Sequence, residues 1–269
     1  MDEYTELLTA LLKAREERRP CILATVVETT GSIPRAAGAK MLVYNATQTL
    51  GTVGGGKFES LVIADAVEAM AGKAPLFKTY PLHEGDVNSF GAICGGTVSV
   101  LIEPQQLNEA IVLVGAGHCS RAIASTARDC GLHVTVIDDR TGLLKEFPAH
   151  KIVGDCSPDE YVRGHAWQRD EALVIVSRNF HIDRDALGAA LGNAGMGYIG
   201  MIGSRKKVNR VFDELGQTGV TKAQLESVYA PIGLDMGADS PGEIAVSVIG
   251  EVLQVLRGRK GGHLRETRS

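Results

Sequence analysis

A chain of 269 residues with 44% apolar and 22% charged residues is long enough for about two domains with real cores, and too apolar to leave a long disordered tract. Its 28 lysines and arginines against 32 aspartates and glutamates give a net charge of −4, which offers no basic footprint for wrapping nucleic acid. The first 19 residues are charged and helix-periodic, not a basic start followed by an apolar core, and no segment reaches the ~20 apolar residues of a bilayer span, so the expected localisation is cytoplasmic.

In chain order, the N-terminal stretch reads as an amphipathic helix through Leu7, Leu8, Leu11 and Leu12. Residues 21–28 (CILATVVE), 40–44 and 97–103 (TVSVLIE) read as strands. Between them, residues 58–70 have helical spacing, with Leu61, Ile63, Ala64, Val67 and Met70 expected on one face. Residues 1–103 are therefore expected as an α+β domain, with residues 104–110 as a linker introduced by Pro104.

From Ile111 the pattern changes to strand, helix, strand in repeated units. Strands are expected at 111–114, 133–137, 172–176 and 198–202, helices at 120–130 and after Asp183 as an N-cap, and a last helix opened by a capping box, Ser240-Pro241-Gly242-Glu243. Near-continuous apolar strands of this kind belong to a parallel sheet covered on both faces. Residues 111–269 are accordingly expected as a Rossmann-like, doubly wound α/β domain.

Gly115-Ala116-Gly117-His118-Cys119-Ser120 follows a strand and opens a helix, the place where glycine lets backbone N–H groups approach a phosphate. The third glycine of a dinucleotide fingerprint is replaced by Ser120, while Asp138 ends the next strand, where a ribose-binding acid is expected, with Arg140 close behind for a phosphate. The bland alternative is that strand-to-helix turns favour glycine and strand ends favour aspartate. Gly203-Ser204-Arg205-Lys206-Lys207 is a second anion candidate, or else a solvated first helical turn.

The N-terminal half carries three glycine clusters: Gly31-Ser32-Ile33-Pro34-Arg35 with Gly38, then Gly54-Gly55-Gly56 with Glu59, then Cys94-Gly95-Gly96. Runs of this kind mark backbone that takes positive φ or closely approaches a ligand, or else tight hairpins. No Walker-type spacing is present, since phenylalanine follows Gly56-Lys57. His118, Cys119, His165 and His181 are acid–base candidates that nothing pairs. The five scattered cysteines (Cys21, Cys94, Cys119, Cys130, Cys156) form no C-x-x-C pair, so neither a disulfide framework nor a metal site is expected.

Taken together, Gly31-Ser32-x-Pro34-Arg35-x-x-Gly38, Gly54-Gly55-Gly56 with Glu59, Cys94-Gly95-Gly96 with Glu103-Pro104, Gly115-Ala116-Gly117-His118, Asp138-Asp139-Arg140, residues 198–206 (YIGMIGSRK), and residues 231–235 (PIGLD) through Pro241-x-Glu243-Ile244-Ala245 resemble the xanthine dehydrogenase accessory factor family. The resemblance spans nearly the whole chain. It implies an N-terminal accessory domain, a Rossmann-type C-terminal domain, and a non-catalytic carrier that binds molybdenum cofactor (molybdopterin), protects it during sulfuration and hands it to an apo molybdenum hydroxylase, with a cysteine desulfurase as a further partner. Glu59 is assigned to the pterin edge. Two departures stand out: Lys57 where relatives often have cysteine, and residues 177–183 (SRNFHID) where they often have a Thr-His-x-His stretch. A homodimer is expected of a fold with exposed sheet edges. The alternative is an NAD(P)-dependent oxidoreductase, motivated by Gly115-x-Gly117 and Asp138.

Overall fold

A computed structural model describes residues 2–31, 35–72, 74–82, 96–105, 107–193 and 195–266. The chain divides into two compact units, Met1–Leu107 and Asn108–Ser269.

The first unit is a five-stranded antiparallel sheet between two helices. Helix α1 (Glu3–Glu16) is followed by β1 (Cys21–Gly31), β2 (Lys40–Asn45), β3 (Gln48–Gly51), α2 (Gly56–Gly72), β4 (Leu76–Pro81) and β5 (Gly96–Gln105). The strand order is β3-β2-β1-β5-β4. Alternation along β1 sends Ile22, Ala24 and Val26 to the α2 side and Cys21 to the α1 side, where it packs with Leu7, Ala14 and Leu42. Asp2 caps α1 by accepting the Thr5 N–H at 2.9 Å.

Two expectations shift here. The buried face of α2 is Phe58, Val62 and Ala66, while Val67 is exposed. Phe58 sets the rotation, since it sits in the core edge-on to Tyr80 at 5.4 Å between centroids and carries Val62 and Ala66 inward at i+4 and i+8. Strand β5 also runs through Pro104 and Gln105, with Pro104 opposite Ile22.

The second unit contains β6 (Ala110–Val114), α3 (His118–Asp129), β7 (His133–Ile137), α4 (Thr141–Leu144), β8 (Lys151–Val153), α5 (Pro158–Gly164), β9 (Glu171–Ile175), α6 (Phe180–Leu191), β10 (Tyr198–Met201), α7 (Arg205–Gln217), α8 (Lys222–Glu226) and α9 (Pro241–Leu256). The five strands are parallel in the order β10-β9-β6-β7-β8. This is the Rossmann order 3-2-1-4-5, whose switch point lies between β6 and β9. An α+β unit followed by a doubly wound parallel-sheet unit is the architecture expected from the sequence.

Both faces of the parallel sheet are covered. Ile123, Ala127, Val248 and Val252 of α3 and α9 meet Ile111, Leu113, Val134 and Val174, while Val162, Leu187 and Val211 of α5, α6 and α7 meet Val112, Val114, Leu173 and Ile175. Every residue of β6 and β9 is buried. Each fully buried Leu, Ile or Val contributes about 1.5–3 kcal/mol, which is why these strands can be apolar throughout. Helix α9 opens with the expected capping box, Ser240 accepting from Glu243 N–H, with Pro241 in its first turn.

The N-cap of α6 is Asn179, not Asp183: the Asn179 side chain accepts the His181 N–H at 2.8 Å. Asp183 lies instead in the first turn, fully buried. At the far edge, the Tyr198 hydroxyl donates to Glu251 at 2.6 Å, and the same oxygen of Glu251 accepts Gly233 N–H at 2.9 Å. Burial, reinforced by Glu251, pushes the Tyr198 hydroxyl far above its ordinary range. Residues 198–206 and 231–235 of the family pattern thus have structural work in tying α9 to the strand edge.

Candidate functional site

In the second unit the chain leaves β6 through Gly115, which takes φ +108°. A Cβ there would stand 2.7 Å from the Val176 carbonyl oxygen and 2.8 Å from Ser177 Cα. Only glycine fits, because the obstructing atoms are backbone and the conformation is left-handed. Two backbones therefore touch at the switch point, and α3 begins at His118, with Gly117 as its N-cap. The N–H groups that open α3 have no intrahelical partners, as at any helix start, and carry the positive end of its dipole.

Asp138, at the end of β7, is 4% exposed. One carboxylate oxygen accepts Arg140 N–H at 2.9 Å and Arg140 Nε–H at 2.8 Å. The other accepts Ala116 N–H at 2.7 Å and Arg140 Nη2–H at 2.7 Å. Burial alone would raise the Asp138 carboxyl, but the Arg140 guanidinium and the Arg140 and Ala116 N–H groups outweigh it and hold it at about 2. Arg140, in turn, is one-third exposed.

The opposite wall is formed by the loop after β9. Ser177 Oγ donates to the buried Asp183 carboxylate at 2.6 Å, and the Lys207 ammonium pairs with the other Asp183 oxygen. Next to it, Arg178 reaches the Asp139 carboxylate at 3.1 Å, joining the loops after β9 and β7. Together Gly115, Asp138, Asp139, Arg140, Ser177 and Arg178 line a cavity of about 10 Å³. That is room for about one water.

Other hollows in this unit differ in chemistry. A groove of about 1120 Å³ along α5, α6 and α7 is lined by charges already paired, Arg163 with Asp159 and Arg184 with Glu214. It contains none of the residues singled out from the sequence. Among the described residues no His, Cys, Asp and Glu cluster could hold a metal, and Cys21, Cys119, Cys130 and Cys156 are free thiols.

The remaining sequence candidates fall as follows. Gly115, Asp138 and Arg140 come together, with Gly117 and the exposed His118 at the start of α3. Ser204 caps α7 by accepting Lys207 N–H at 3.3 Å, and Arg205 is exposed on the first turn behind it. His165 pairs with Glu171 at 3.1 Å, between the rings of Tyr161 and Trp167. Ser120, standing where a third glycine was expected, is fully buried, and its Oγ has no hydrogen-bond partner among the described residues.

In the first unit Gly54, Gly55 and Gly56 take φ +145°, +76° and +65° and lead into α2. One oxygen of Glu59, from the first turn of that helix, accepts Val53 N–H and Gly55 N–H, both at 3.1 Å, and the Thr52 hydroxyl. That oxygen is engaged by the protein's own turn, so Glu59 acts first on the loop itself. Gly31 ends β1 at φ +71°, and Arg35 pairs with Glu3 at 3.4 Å on the surface. Ser32, Cys94 and Gly95 lie outside the described residues. Sequence reasoning did not single out Asp139, Arg178 and the Ser177–Asp183–Lys207 set for these contacts. Arg178 and Asp139 lie 39 residues apart and Lys207 is remote from Asp183, which has the same residue type as a helix cap.

A glycine turn at the switch point of a parallel sheet in this strand order places the second unit among Rossmann-type domains. Residues 111–252 match the XdhC Rossmann domain and residues 14–81 match the XdhC and CoxI family, so the chain belongs to this family of xanthine dehydrogenase accessory factors. It is 32% identical over 259 residues to the uncharacterized protein YqeB of Escherichia coli (strain K12), covering 95% of this chain and 47% of that one. It is 27% identical over 160 residues to a probable xanthine dehydrogenase subunit from Bacillus subtilis (strain 168), covering 59% and 46%. The chain thus spans about half the length of the curated relatives it matches. A crystal structure described as a xanthine dehydrogenase from Bacillus halodurans shares the fold, with 23% identity and a TM-score of 0.50 over 97% of both chains. No helix among the described residues is long and apolar enough to cross a membrane.

Proposed function

We propose that this protein is an accessory factor that binds the molybdenum cofactor through its phosphate end and delivers it to a xanthine dehydrogenase-like apo-enzyme. The observation that carries this reading is the Gly115 turn, whose crevice brings the glycine together with the Arg140 and Arg178 guanidiniums within a family Rossmann unit. The residues fit such a cargo, since helix-start N–H groups and a guanidinium suit a phosphate, whereas Cys119 in the first turn of α3 packs against the core. Delivery of the cofactor in sulfurated form, with a cysteine desulfurase supplying sulfur and a homodimer as the carrier, extends the same proposal.

The test is transfer. Protein loaded with molybdenum cofactor is mixed with cofactor-free xanthine dehydrogenase, and substrate oxidation is followed. Activation beyond that given by the same amount of free cofactor is expected; no activation of any apo-hydroxylase sinks the reading. The Rossmann strand order also favours a second one, a dinucleotide-dependent oxidoreductase, which reproducible NAD(P)H turnover with a small substrate would establish.

A further inference from the structure

Past the end of β10 the chain holds apolar side chains out toward solvent. Tyr229 is bridged to Gly200 of β10, and Ile232 N–H donates to the carbonyl of Met201, the last residue of that strand, at 3.2 Å, so the residues that follow lie beyond the C-terminal end of the sheet. There Leu234, Met236 and, in the second turn of α9, Val246 are 41%, 53% and 54% exposed. Leu234 lies over Gly250, where a Cβ would stand 2.9 Å from Leu234 Cδ1. Val246 precedes Gly250 by one turn on the same side of the helix, which makes Leu234 and Val246 neighbours. A different face of α9 packs on the sheet, through Ala245, Val248, Ile249 and Val252.

This loop is tied down. Leu234 N–H donates to the Ser247 carbonyl at 3.2 Å and Ser247 Oγ–H to the Leu234 carbonyl at 2.7 Å, while Glu251 accepts Gly233 N–H. A fixed segment that keeps apolar side chains in water forgoes the burial each could gain, and it meets a partner without first losing loop entropy. Exposed apolar residues scattered singly are ordinary, whereas a grouped and immobilised set marks a protein-binding surface. The charges around it decide the kind of partner. Residues 229–246 contain Asp235, Asp239 and Glu243 and no lysine, arginine or histidine, and Asp235 and Asp239 are exposed. A second copy of this chain set on the patch by a two-fold axis would place acid against acid, which disfavours self-association and favours a different protein whose apolar surface has a basic rim.

We infer that Leu234, Met236 and Val246 form a docking surface for a protein with a basic rim around an apolar centre and, resting on the delivery reading, that this protein is the apo-enzyme receiving the cargo. In a parallel sheet all strands end on one side, so the patch beyond β10 and the Gly115 turn beyond β6 occupy the same end of the second unit. Helix α9 agrees: Leu256 in its last turn lies by Gly197, just ahead of β10, which puts the opening turns of the helix at the strand ends. A partner held on the patch therefore stands at the end of the sheet where the ligand crevice opens.

Association of the full chain with cofactor-free xanthine dehydrogenase is measured by surface plasmon resonance, beside the transfer assay. Met236→Asp and Val246→Asp each put a charge at an exposed position, so both variants are expected to unfold in urea as the unaltered protein does, yet to bind the enzyme at least about tenfold more weakly, the effect of losing one apolar anchor. Asp235→Lys should slow association several-fold by opposing a basic rim. Leu12→Asp, also at an exposed leucine but on α1 of the first unit, should leave binding unchanged. Binding within about twofold of the unaltered protein in both patch variants, an equal loss in Leu12→Asp, or no binding by the unaltered protein overturns the inference. So does sedimentation that shows the unaltered chain as a dimer split by Met236→Asp, since a second copy would then cover the patch. The two readings fail separately: transfer that survives both patch variants removes only the docking surface, and patch-dependent binding without transfer removes only the delivery role.

Discussion

The two glycine turns solve one problem in two ways. In both, glycine exposes backbone N–H groups that a carboxylate of the same protein then accepts: Glu59 for Val53 and Gly55, Asp138 for Ala116. Glu59 comes from the helix that its own turn begins, four residues after Gly55, so that closure is local and needs no other part of the sheet. Asp138 arrives 22 residues after Ala116, on the neighbouring strand, and brings Arg140 with it. The first arrangement keeps its bonds within residues 52–59. The second passes a positive charge outward, to the partly exposed Arg140 side chain.

Substitutions can break the contrast. Gly115→Ala forces a Cβ against backbone in a left-handed conformation and should cost about 3 kcal/mol or more, read by urea unfolding, with loss of ligand binding. Gly55→Ala meets nothing within 4 Å and carries only the left-handed conformational cost, about 1–2 kcal/mol. Equal losses at the two positions would erase the distinction between the turns. Next in size, Glu59→Ala leaves the donors of residues 52–55 without their acceptor and should destabilise the first unit by up to about 3 kcal/mol, read by urea unfolding.

Asp138→Asn sharpens the comparison through pH. The folded carboxyl is held at about 2, below its unfolded value of about 3.9, so its contribution is present above pH ~4 and disappears as pH falls toward 2. Wild type should exceed the variant by about 2 kcal/mol near neutrality, and the gap should close across that acid window in unfolding titrations. A gap independent of pH would mean that the ionised form is not what stabilises the turn. Smallest of all, Arg178→Ala removes an exposed pair with Asp139 and should change stability by less than about 1 kcal/mol in urea unfolding.

Much of the second unit was legible because its strands leave little choice. Ile111 to Val114 and Ala172 to Ile175 are apolar at every position, which only a doubly covered sheet tolerates, and the Ser240 capping box fixes the start of α9 by local chemistry. Strand β8 has three residues, two of them exposed, and β4 is an edge strand with Phe77, Lys78 and Thr79 exposed, so neither carries a readable period. The α2 face was only partly read, since Leu61, Ile63 and Met70 do pack against the core while its centre is Phe58, Val62 and Ala66, and only Tyr80, which is distant in sequence, shows that Phe58 points inward. The positions of Asp138 and Arg140 were readable from the strand-turn pattern. Their mutual saturation was not, because it depends on which donors reach which oxygen. Lys207, 24 residues from Asp183, illustrates the same limit: a burial partner across two elements leaves no local mark.

The contact of Gly115 with Val176 and Ser177 also bears on how such a protein can change. A floor made of two touching backbones offers no side chain to substitute and no space to enlarge, so it is a fixed point under mutation. The rim, at residues 138–140 and 177–178, is made of side chains that meet across solvent-facing loops and can be exchanged singly. Exchanges at the rim would then alter the charge around the turn one residue at a time, while the backbone contact beneath stays as it is.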